Sequence, residues 1–233
     1  MFLQNGVDLK NTVTGDPQKD KLAEDALDFY SLFARSGQAE RVWDETMEVS
    51  TSAFAAGRVA FYFAPSWRVF EIKDANSALN FKVAPIPQLP GGKVSWASYW
   101  VEGVSQKSPN KKEALDFLKF LTDSSSMQLV YSEASKLRLF GQPYSRVDLA
   151  QQLSEDPYVG AYVKDAAWAR SFSLASNTFD NGLNDRLIAL LADAVNSANR
   201  GGSAKDALAT YSKGANSVFS QFGLAPPVSP TPR

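Results

Sequence analysis

The sequence predicts an α/β protein in which helices are in the majority. Apolar residues recur at helical spacing along most of the chain, most clearly at Ala114, Phe117, Leu118 and Leu121, the i, i+3, i+4 and i+7 positions of one helix face. Short apolar runs such as residues 59–63 are typical of strands buried on both faces of a parallel sheet. With 233 residues, the chain is long enough for one large domain or two modest lobes.

Proline and glycine divide the first half of the chain into short elements. Asp16 followed by Pro17 predicts the start of a helix, and Gly37 predicts its end. The apolar stripe of this helix consists of Leu22, Ala26, Phe29, Tyr30 and Phe33. Two more helices are expected, over residues 47–56 and 65–72. Three strands are expected, over residues 59–63, 81–87 and 98–104.

The second half of the chain predicts helices almost throughout. Ser108 and Pro109 begin a helix that continues through Leu121, and Ser124 caps another that continues through Ala134. Two short helices are expected around residues 147–153 and 157–168, and an irregular segment over residues 172–184.

Two long helices are expected after that segment, separated by Gly201 and Gly202. The apolar stripe of the first consists of Leu187, Leu191, Ala194 and Ala198. The stripe of the second consists of Leu208, Tyr211, Ala215, Phe219 and Phe222. The proline-rich residues 224–233 predict a disordered tail.

The composition excludes more classes of function than the length does. With no Cys and no His, the chain has no disulfide, no thiolate nucleophile, no Ser–His–Asp triad and no His-ligated metal. The net charge of −1 argues against nonspecific nucleic-acid binding, which needs a concentrated positive field. In contrast to this lack of reactive side chains, the chain has 15 Phe, 8 Tyr and 5 Trp. Few reactive groups and many flat apolar faces indicate binding rather than catalysis, with no metal or cofactor expected.

Aromatic residues beside predicted strands are the first candidate ligand contacts. Ser66 and Trp67 follow the predicted strand over residues 59–63, and ligands of open α/β sheets collect at the carboxyl ends of strands. Tyr99 and Trp100 form a second aromatic pair near the start of another predicted strand. Such rings stack on the apolar C–H faces of sugars. Packing of the same side chains on the core is the alternative interpretation.

Polar candidates are less specific. Arg138 and Arg146 flank a loop that contains Tyr144, where an arginine can donate to a ligand hydroxyl or carboxylate. Paired carboxylates would be needed for glycoside hydrolysis, and no spacing singles out two of the acidic residues. The acidic candidates are Asp44, Glu45, Glu102, Glu133, Asp180 and Asp185. No glycine-rich loop has the spacing of a phosphate-binding motif.

Six segments of the chain follow, in order, the motifs of one known family. Residues 52–61 resemble the pattern F-x-x-G-K-x-A-M, and residues 103–122 are similar to the pattern G-I-S-x-x-S-x-N-K-E-A-A-x-x-F-x-x-F-L-T. The other similar segments are residues 65–67, 83–92, 141–146 and 202–208. In these segments the chain resembles bacterial extracellular solute-binding proteins of the sugar-binding type.

The resemblance implies a helix-rich, periplasmic-binding-protein-like type II lobe, and it extends only to the C-terminal half of the family. Residues 1–95 and 144–223 would form the C-terminal lobe. Residues 96–143 would be a hinge-crossing strand and a helical hairpin that belong to the N-terminal lobe. The chain would then be a fragment, or one partner of a split protein that pairs with a separate N-terminal half or with itself.

The resemblance also implies a function. Such proteins bind a mono- or oligosaccharide between two lobes, without chemistry, and deliver it to the membrane subunits of an ABC importer. They are extracellular or periplasmic, although residues 1–6 lack the pattern of a signal peptide, so a leader would be absent from this chain.

The motif positions imply a role for each candidate residue. Trp67, beside Ser66, would be the stacking platform, and Tyr99 and Trp100 would line the cleft. Arg138 and the loop to Tyr144 would lie near the hinge and rim. Asp180 and Asn181 belong to a segment that in relatives approaches the ligand.

Two alternative functions remain open from the sequence. One is a carbohydrate-active hydrolase that uses paired carboxylates. The other is an extracellular sensor domain that passes ligand occupancy to a membrane partner.

Overall fold

Helices dominate the computed structural model, which describes residues 1–44, 46–90, 92–171 and 179–224. The α-helices of the described residues are α1 Pro17–Leu32, α2 Ser50–Ala55, α3 Arg68–Ala75, α4 Lys111–Leu121, α5 Ser124–Leu137, α6 Gly160–Asp165, α7 Leu183–Asn199 and α8 Ala204–Gln221. Short 3-10 helices cover Leu3–Asn5, Val147–Gln152 and Ala166–Trp168. Two short strands, β1 Ser95–Trp96 and β2 Ala169–Arg170, form a two-stranded sheet. No helix in the described part of the chain is long and apolar enough to span a membrane.

The three strands predicted over residues 59–63, 81–87 and 98–104 are wrong, because none of these residues is in a strand. Residues 59–63 were expected to be buried on both faces, yet Phe61 is 86% exposed and Phe63 is 70% exposed. A strand is stable when a neighbouring strand satisfies its backbone N–H and C=O groups. Among the described residues, no backbone-to-backbone hydrogen bond joins residues 59–63 or 98–104 to another segment.

The chain divides into two compact units. Unit 1 comprises the described residues of Met1–Met47, Pro87–Trp96 and Arg170–Arg233, and unit 2 comprises Glu48–Ile86 and Ala97–Ala169. The lobe boundaries implied by the sequence resemblance stay a prediction. The expected tail lies outside the described residues except for Leu224, as do residues 172–178 of the segment that was expected to be irregular.

Unit 1 is built on the hairpin of α7 and α8, against which α1 packs. Its core contains Leu27, Leu187 and Leu208, each almost completely buried. Burying one such leucine contributes about 1.5–3 kcal/mol. The predicted stripes of α7 and α8 are confirmed at most positions. The predicted stripe of α1 is confirmed only at Ala26, which is buried together with Ala23 and Leu27, and it is wrong at its four large residues, which are exposed: Leu22, Phe29, Tyr30 and Phe33.

Unit 2 has a smaller core that is rich in aromatic rings. Its buried members are Val69, Phe140, Leu153 and Val159. The ring centroids of Phe70 and Phe140 are 4.3 Å apart. Gly141 lets two backbone segments meet here, because a Cβ at this position would lie 2.6 Å from the carbonyl oxygen of Tyr131. This aromatic cluster is the part of unit 2 that holds α3 and the end of α5 in place.

Candidate functional site

Trp67 lies at the start of α3, where it is the N-terminal flanking residue of the helix. The helix starts here because the carbonyl groups of Pro65 and Ser66 accept the N–H groups of Arg68 and Val69, each at 3.1 Å. Val69 is buried and anchors the helix on the core of unit 2. The Trp67 side chain is left 45% exposed, so the ring is not sealed in the core. A half-exposed indole on an anchored helix is suited to stacking on a ligand.

The segment before Trp67 is held by side chains rather than by a sheet. The hydroxyl groups of Thr51 and Tyr62 share a hydrogen bond of 2.7 Å, and the Tyr62 ring packs on Phe54 with centroids 5.7 Å apart. The Tyr162 hydroxyl donates to the carbonyl oxygen of Ala64 at 3.0 Å. Burial raises the pKa of Tyr162, with a smaller contribution from Tyr62, so this hydroxyl keeps its proton. The backbone that leads to Trp67 is therefore tied to two helices of unit 2.

Arg138 contacts the same helix as Trp67. Its guanidinium carbon lies 5.1 Å from the centroid of the Phe70 ring, a cation–π distance. Phe70 is three residues after Trp67, and its N–H donates to the Trp67 carbonyl oxygen at 3.2 Å. The structure thus brings Arg138 and Trp67 to the first turn of α3, although the two are 71 positions apart in the chain.

Tyr144 belongs to the same aromatic cluster. Its ring centroid lies 5.1 Å from that of Tyr131, which packs against the core of unit 2. Burial raises the pKa of Tyr144 and of Tyr131, so both hydroxyls stay neutral in ordinary buffers. Tyr144 therefore has a structural role here, and a ligand contact from it stays a prediction.

Tyr99 and Trp100 lie in unit 2 outside any helix or strand, and Trp100 is 87% exposed. In the described part of the chain, no hydrogen bond or ring contact joins either side chain to Trp67. The sequence resemblance placed Trp67, Tyr99 and Trp100 at one ligand site. The described contacts place Arg138 on Phe70, in the same helical turn as Trp67, and they join neither Tyr99 nor Trp100 to that turn.

Asp180 and Asn181 lie in unit 1, where they start α7. The two carboxylate oxygens of Asp180 accept the N–H groups of Gly182 at 3.1 Å and Asn184 at 3.0 Å. Asn181 has a positive φ of 58°, which reverses the chain before the helix. These contacts give both residues a structural role in unit 1, and their ligand role stays a prediction.

The carboxylates considered for glycoside hydrolysis contact different residues rather than one another. Asp44 accepts hydrogen bonds from Thr46 and pairs with Arg41, and these contacts lower its pKa. Glu133 pairs with Lys136 at 2.6 Å on the surface of α5. Glu45 lies outside the described residues. Among those described, no hydrogen bond or shared partner brings two of the six carboxylates together, so the structure gives the hydrolase alternative no support.

Sequence reasoning missed Tyr62, Phe70 and Tyr162 as supports of the candidate site. Phe70 follows Trp67 by three residues, a helical spacing visible in the sequence. No spacing in the sequence indicates the contacts of Tyr62 and Tyr162. For Tyr162 the reason is that its hydrogen-bond partner is about 100 residues away in the chain.

Comparison with known families supplies the class of protein. Residues 1–161 match the sequence model of the family described as bacterial extracellular solute-binding protein, and this match covers more than half of the chain. The chain therefore belongs to that family. No curated protein matches the chain. The matched residues include all six candidates of unit 2, while Asp180 and Asn181 lie beyond them.

Membership in this family gives the protein a solute-binding role in extracellular transport. Its partners are a small-molecule solute and transporter components, and its location is extracellular or periplasmic. Proteins of this family are generally not enzymes.

Proposed function

We propose that this chain is the ligand-binding component of an ABC-type importer, or a part of one, and that its solute is a mono- or oligosaccharide. The observation that carries the proposal is the half-exposed indole of Trp67 at the start of α3, a helix that the buried side chain of Val69 anchors on the core. An aromatic side chain has few rotatable bonds, so it loses little conformational entropy when a ligand stacks on it.

Polar groups near Trp67 suit the hydroxyl groups that surround a sugar ring. Ser66 precedes Trp67 and offers a hydroxyl, and Arg138 offers guanidinium N–H donors beside Phe70. An aromatic platform with such donors favours a sugar over a purely apolar solute. Tyr99 and Trp100 have no ring or hydrogen-bond partner for their side chains within the described residues, and they suit a second contact with the same ligand.

We further propose that the ligand is enclosed between two lobes and released by hinge motion, without covalent change. Residues 1–95 and 144–223 would belong to the C-terminal lobe, and residues 96–143 to the other lobe. The membrane subunits of the importer are the partners of the closed form. The exposed side chains of Phe61 and Phe63 support this proposal, because they lack a covering layer in the described residues.

The experiment is a tryptophan-fluorescence titration with a panel of mono- and oligosaccharides up to high millimolar concentration. Trp67→Ala is expected to weaken binding by about 1–3 kcal/mol, or about five- to 150-fold in Kd, because a stacking contact is lost. Trp43→Ala is the matched control, since Trp43 is a partly buried tryptophan of unit 1. It is expected to leave Kd unchanged.

Two outcomes contradict the proposal. Equal losses from Trp67→Ala and Trp43→Ala would place the ligand elsewhere. Turnover of chromogenic glycosides by the purified chain would favour the hydrolase alternative, since a binding protein releases its sugar unaltered.

A further inference from the structure

Unit 1 contains a partly enclosed cavity of about 300 Å³. It lies where the loop that carries Thr12 and Val13 meets the first half of α1 and the first turns of α8. Ligand pockets measure about 300–1,000 Å³, so this cavity suits a molecule smaller than an oligosaccharide. All of its lining residues belong to unit 1, whereas Trp67 belongs to unit 2. The cavity is therefore a different site from the one proposed for the sugar.

The wall of this cavity includes a residue with a buried hydroxyl group that has no hydrogen bond. Thr12 is 2% exposed, and its Oγ1 has no hydrogen-bond partner within the described residues. Leu208 is 1% exposed in the same wall, and Val13 packs against the core of unit 1. Because buried polar groups are nearly always hydrogen-bonded, the unpaired hydroxyl indicates a bound molecule that has both a polar and an apolar part.

Two of the four charged residues in the wall are already engaged. One carboxylate oxygen of Asp20 accepts the N–H of Thr14 at 2.6 Å and its hydroxyl at 2.9 Å, and the other accepts the N–H of Gly15 at 3.2 Å. Lys21 pairs with Asp25 at 2.8 Å. Asp20 therefore holds the loop that forms one side of the cavity, and neither charge needs a ligand.

Glu24 and Lys205 are the other two charged residues, and they are not engaged in this way. Neither has an ion-pair partner in the part of the chain that the structure describes, although both line the cavity. Glu24 belongs to α1 and Lys205 to α8, two helices that pack against each other. A carboxylate and an ammonium group that line one cavity without pairing are each available to the opposite charge of a bound molecule.

We propose that this cavity binds a small zwitterion, namely an α-amino acid with an apolar side chain. The ammonium group of the ligand pairs with Glu24, its carboxylate pairs with Lys205, and its side chain packs on Leu208 and Val13. The Thr12 hydroxyl, which both donates and accepts hydrogen bonds, serves the polar end of the ligand. A simple anion would be repelled by Glu24 and a simple cation by Lys205, so a molecule that carries both charges fits better than either.

Saturation-transfer-difference NMR titrations of the full chain test the proposal with L-leucine as the probe. L-leucine is expected to bind with a Kd below about 1 mM. Two analogues each lack one of its charges: N-acetyl-L-leucine has only the carboxylate, and L-leucinamide has only the ammonium group. Each analogue is expected to bind at least roughly tenfold more weakly, because one of the two ion pairs is lost.

Variants assign each charge of the ligand to its partner. Glu24→Gln is expected to weaken leucine binding at least roughly fivefold and to leave the binding of N-acetyl-L-leucine unchanged. Lys205→Gln is expected to weaken leucine binding by a similar factor and to leave the binding of L-leucinamide unchanged. Lys213→Gln is the matched control, because Lys213 is an exposed lysine of α8 that does not line the cavity. It is expected to leave the Kd of leucine unchanged.

Three results would overturn the proposal. The first is no binding of leucine up to about 10 mM, and the second is equal affinity for leucine and both analogues. The third is leucine binding that is lost in Trp67→Ala but kept in Glu24→Gln and Lys205→Gln, which would place leucine at the candidate site of unit 2. Because the readout is the binding of leucine rather than of a sugar, these results are independent of the proposed function.

Discussion

At the scale of single residues, the buried hydroxyl of Tyr211 shows most clearly how one side chain affects stability. This side chain is 3% exposed in the core of unit 1, and its hydroxyl donates to the carbonyl oxygen of Leu9 at 2.9 Å. Burial, together with the smaller effect of Asp8, raises the pKa of Tyr211 from 10.0 to about 12. The folded state therefore retains a proton that the unfolded chain loses near pH 10.

This difference predicts an alkaline loss of stability. The contribution of Tyr211 is fully present below pH 10 and is lost as the pH rises towards 12, because the unfolded state then binds fewer protons. Tyr211→Phe is expected to lower the free energy of unfolding by about 1 kcal/mol at pH 8, where the Leu9 carbonyl loses its donor. Between pH 9 and 11, the wild type is expected to lose about 1 kcal/mol more than Tyr211→Phe.

Urea denaturation at each pH measures the effect. Tyr30→Phe serves as control, since Tyr30 is exposed on α1, and it is expected to follow the wild type at every pH. An identical alkaline decline in Tyr211→Phe would show that the Tyr211 proton does not contribute.

The role of Asp180 can also be tested at the scale of a single residue, because a structural role and a ligand-binding role predict different results. Both of its carboxylate oxygens already accept backbone N–H groups at the start of α7. Asp180→Ala is expected to destabilise unit 1 by about 0.5–2 kcal/mol, as does the loss of a helix cap. Asp180→Asn keeps one acceptor oxygen and is expected to recover a large part of that loss in thermal denaturation. Normal stability of Asp180→Asn with weaker sugar binding would instead assign a ligand role.

At the scale of elements, the sequence predicted helices well and strands poorly, for one physical reason. A helix satisfies its backbone within itself, so capping and periodicity locate α4, α7 and α8. A strand depends on a neighbour, which no local pattern supplies. Residues 59–63 have the composition of a buried strand, yet their backbone finds no partner in the described residues.

The face that a helix buries is predictable only when the pattern is one-sided. In α8, large apolar residues form one stripe, and Leu208, Tyr211 and Phe219 are buried as expected. In α1, apolar residues surround much of the helix, and small Ala23 rather than Phe29 faces α7 and α8. Because alanine is small, it lets neighbouring helices approach closely. A prediction based on the large apolar residues alone does not take this packing preference into account.

The candidate site shows the same limit. The position of Trp67 after an apolar run predicted an indole that contacts ligand, and its 45% exposure leaves the ring accessible for such a contact. The approach of Arg138 to Phe70 depends on the packing of α3 and the end of α5 against one cluster, which is a long-range contact. Local sequence patterns carry no signal of such contacts.

At the scale of the whole molecule, the two-lobe proposal determines how tightly this chain alone binds a sugar. A ligand enclosed between lobes draws its contacts from both walls, and closure expels the water that competes for its hydroxyl groups. The described contacts of unit 2 supply one aromatic platform and one nearby guanidinium, whereas Tyr99 and Trp100 are joined to neither.

We therefore expect the isolated chain to bind its sugar with a Kd no better than roughly 1 mM, about −4 kcal/mol. Isothermal titration calorimetry at high protein concentration measures this value, with Trp67→Ala as the reference for signal that does not arise at the site. If a polypeptide that carries the other lobe is added, the second wall becomes available, and the affinity should rise by at least tenfold. Micromolar affinity in the isolated chain, lost in Trp67→Ala, would show that these 233 residues already contain both walls of the site.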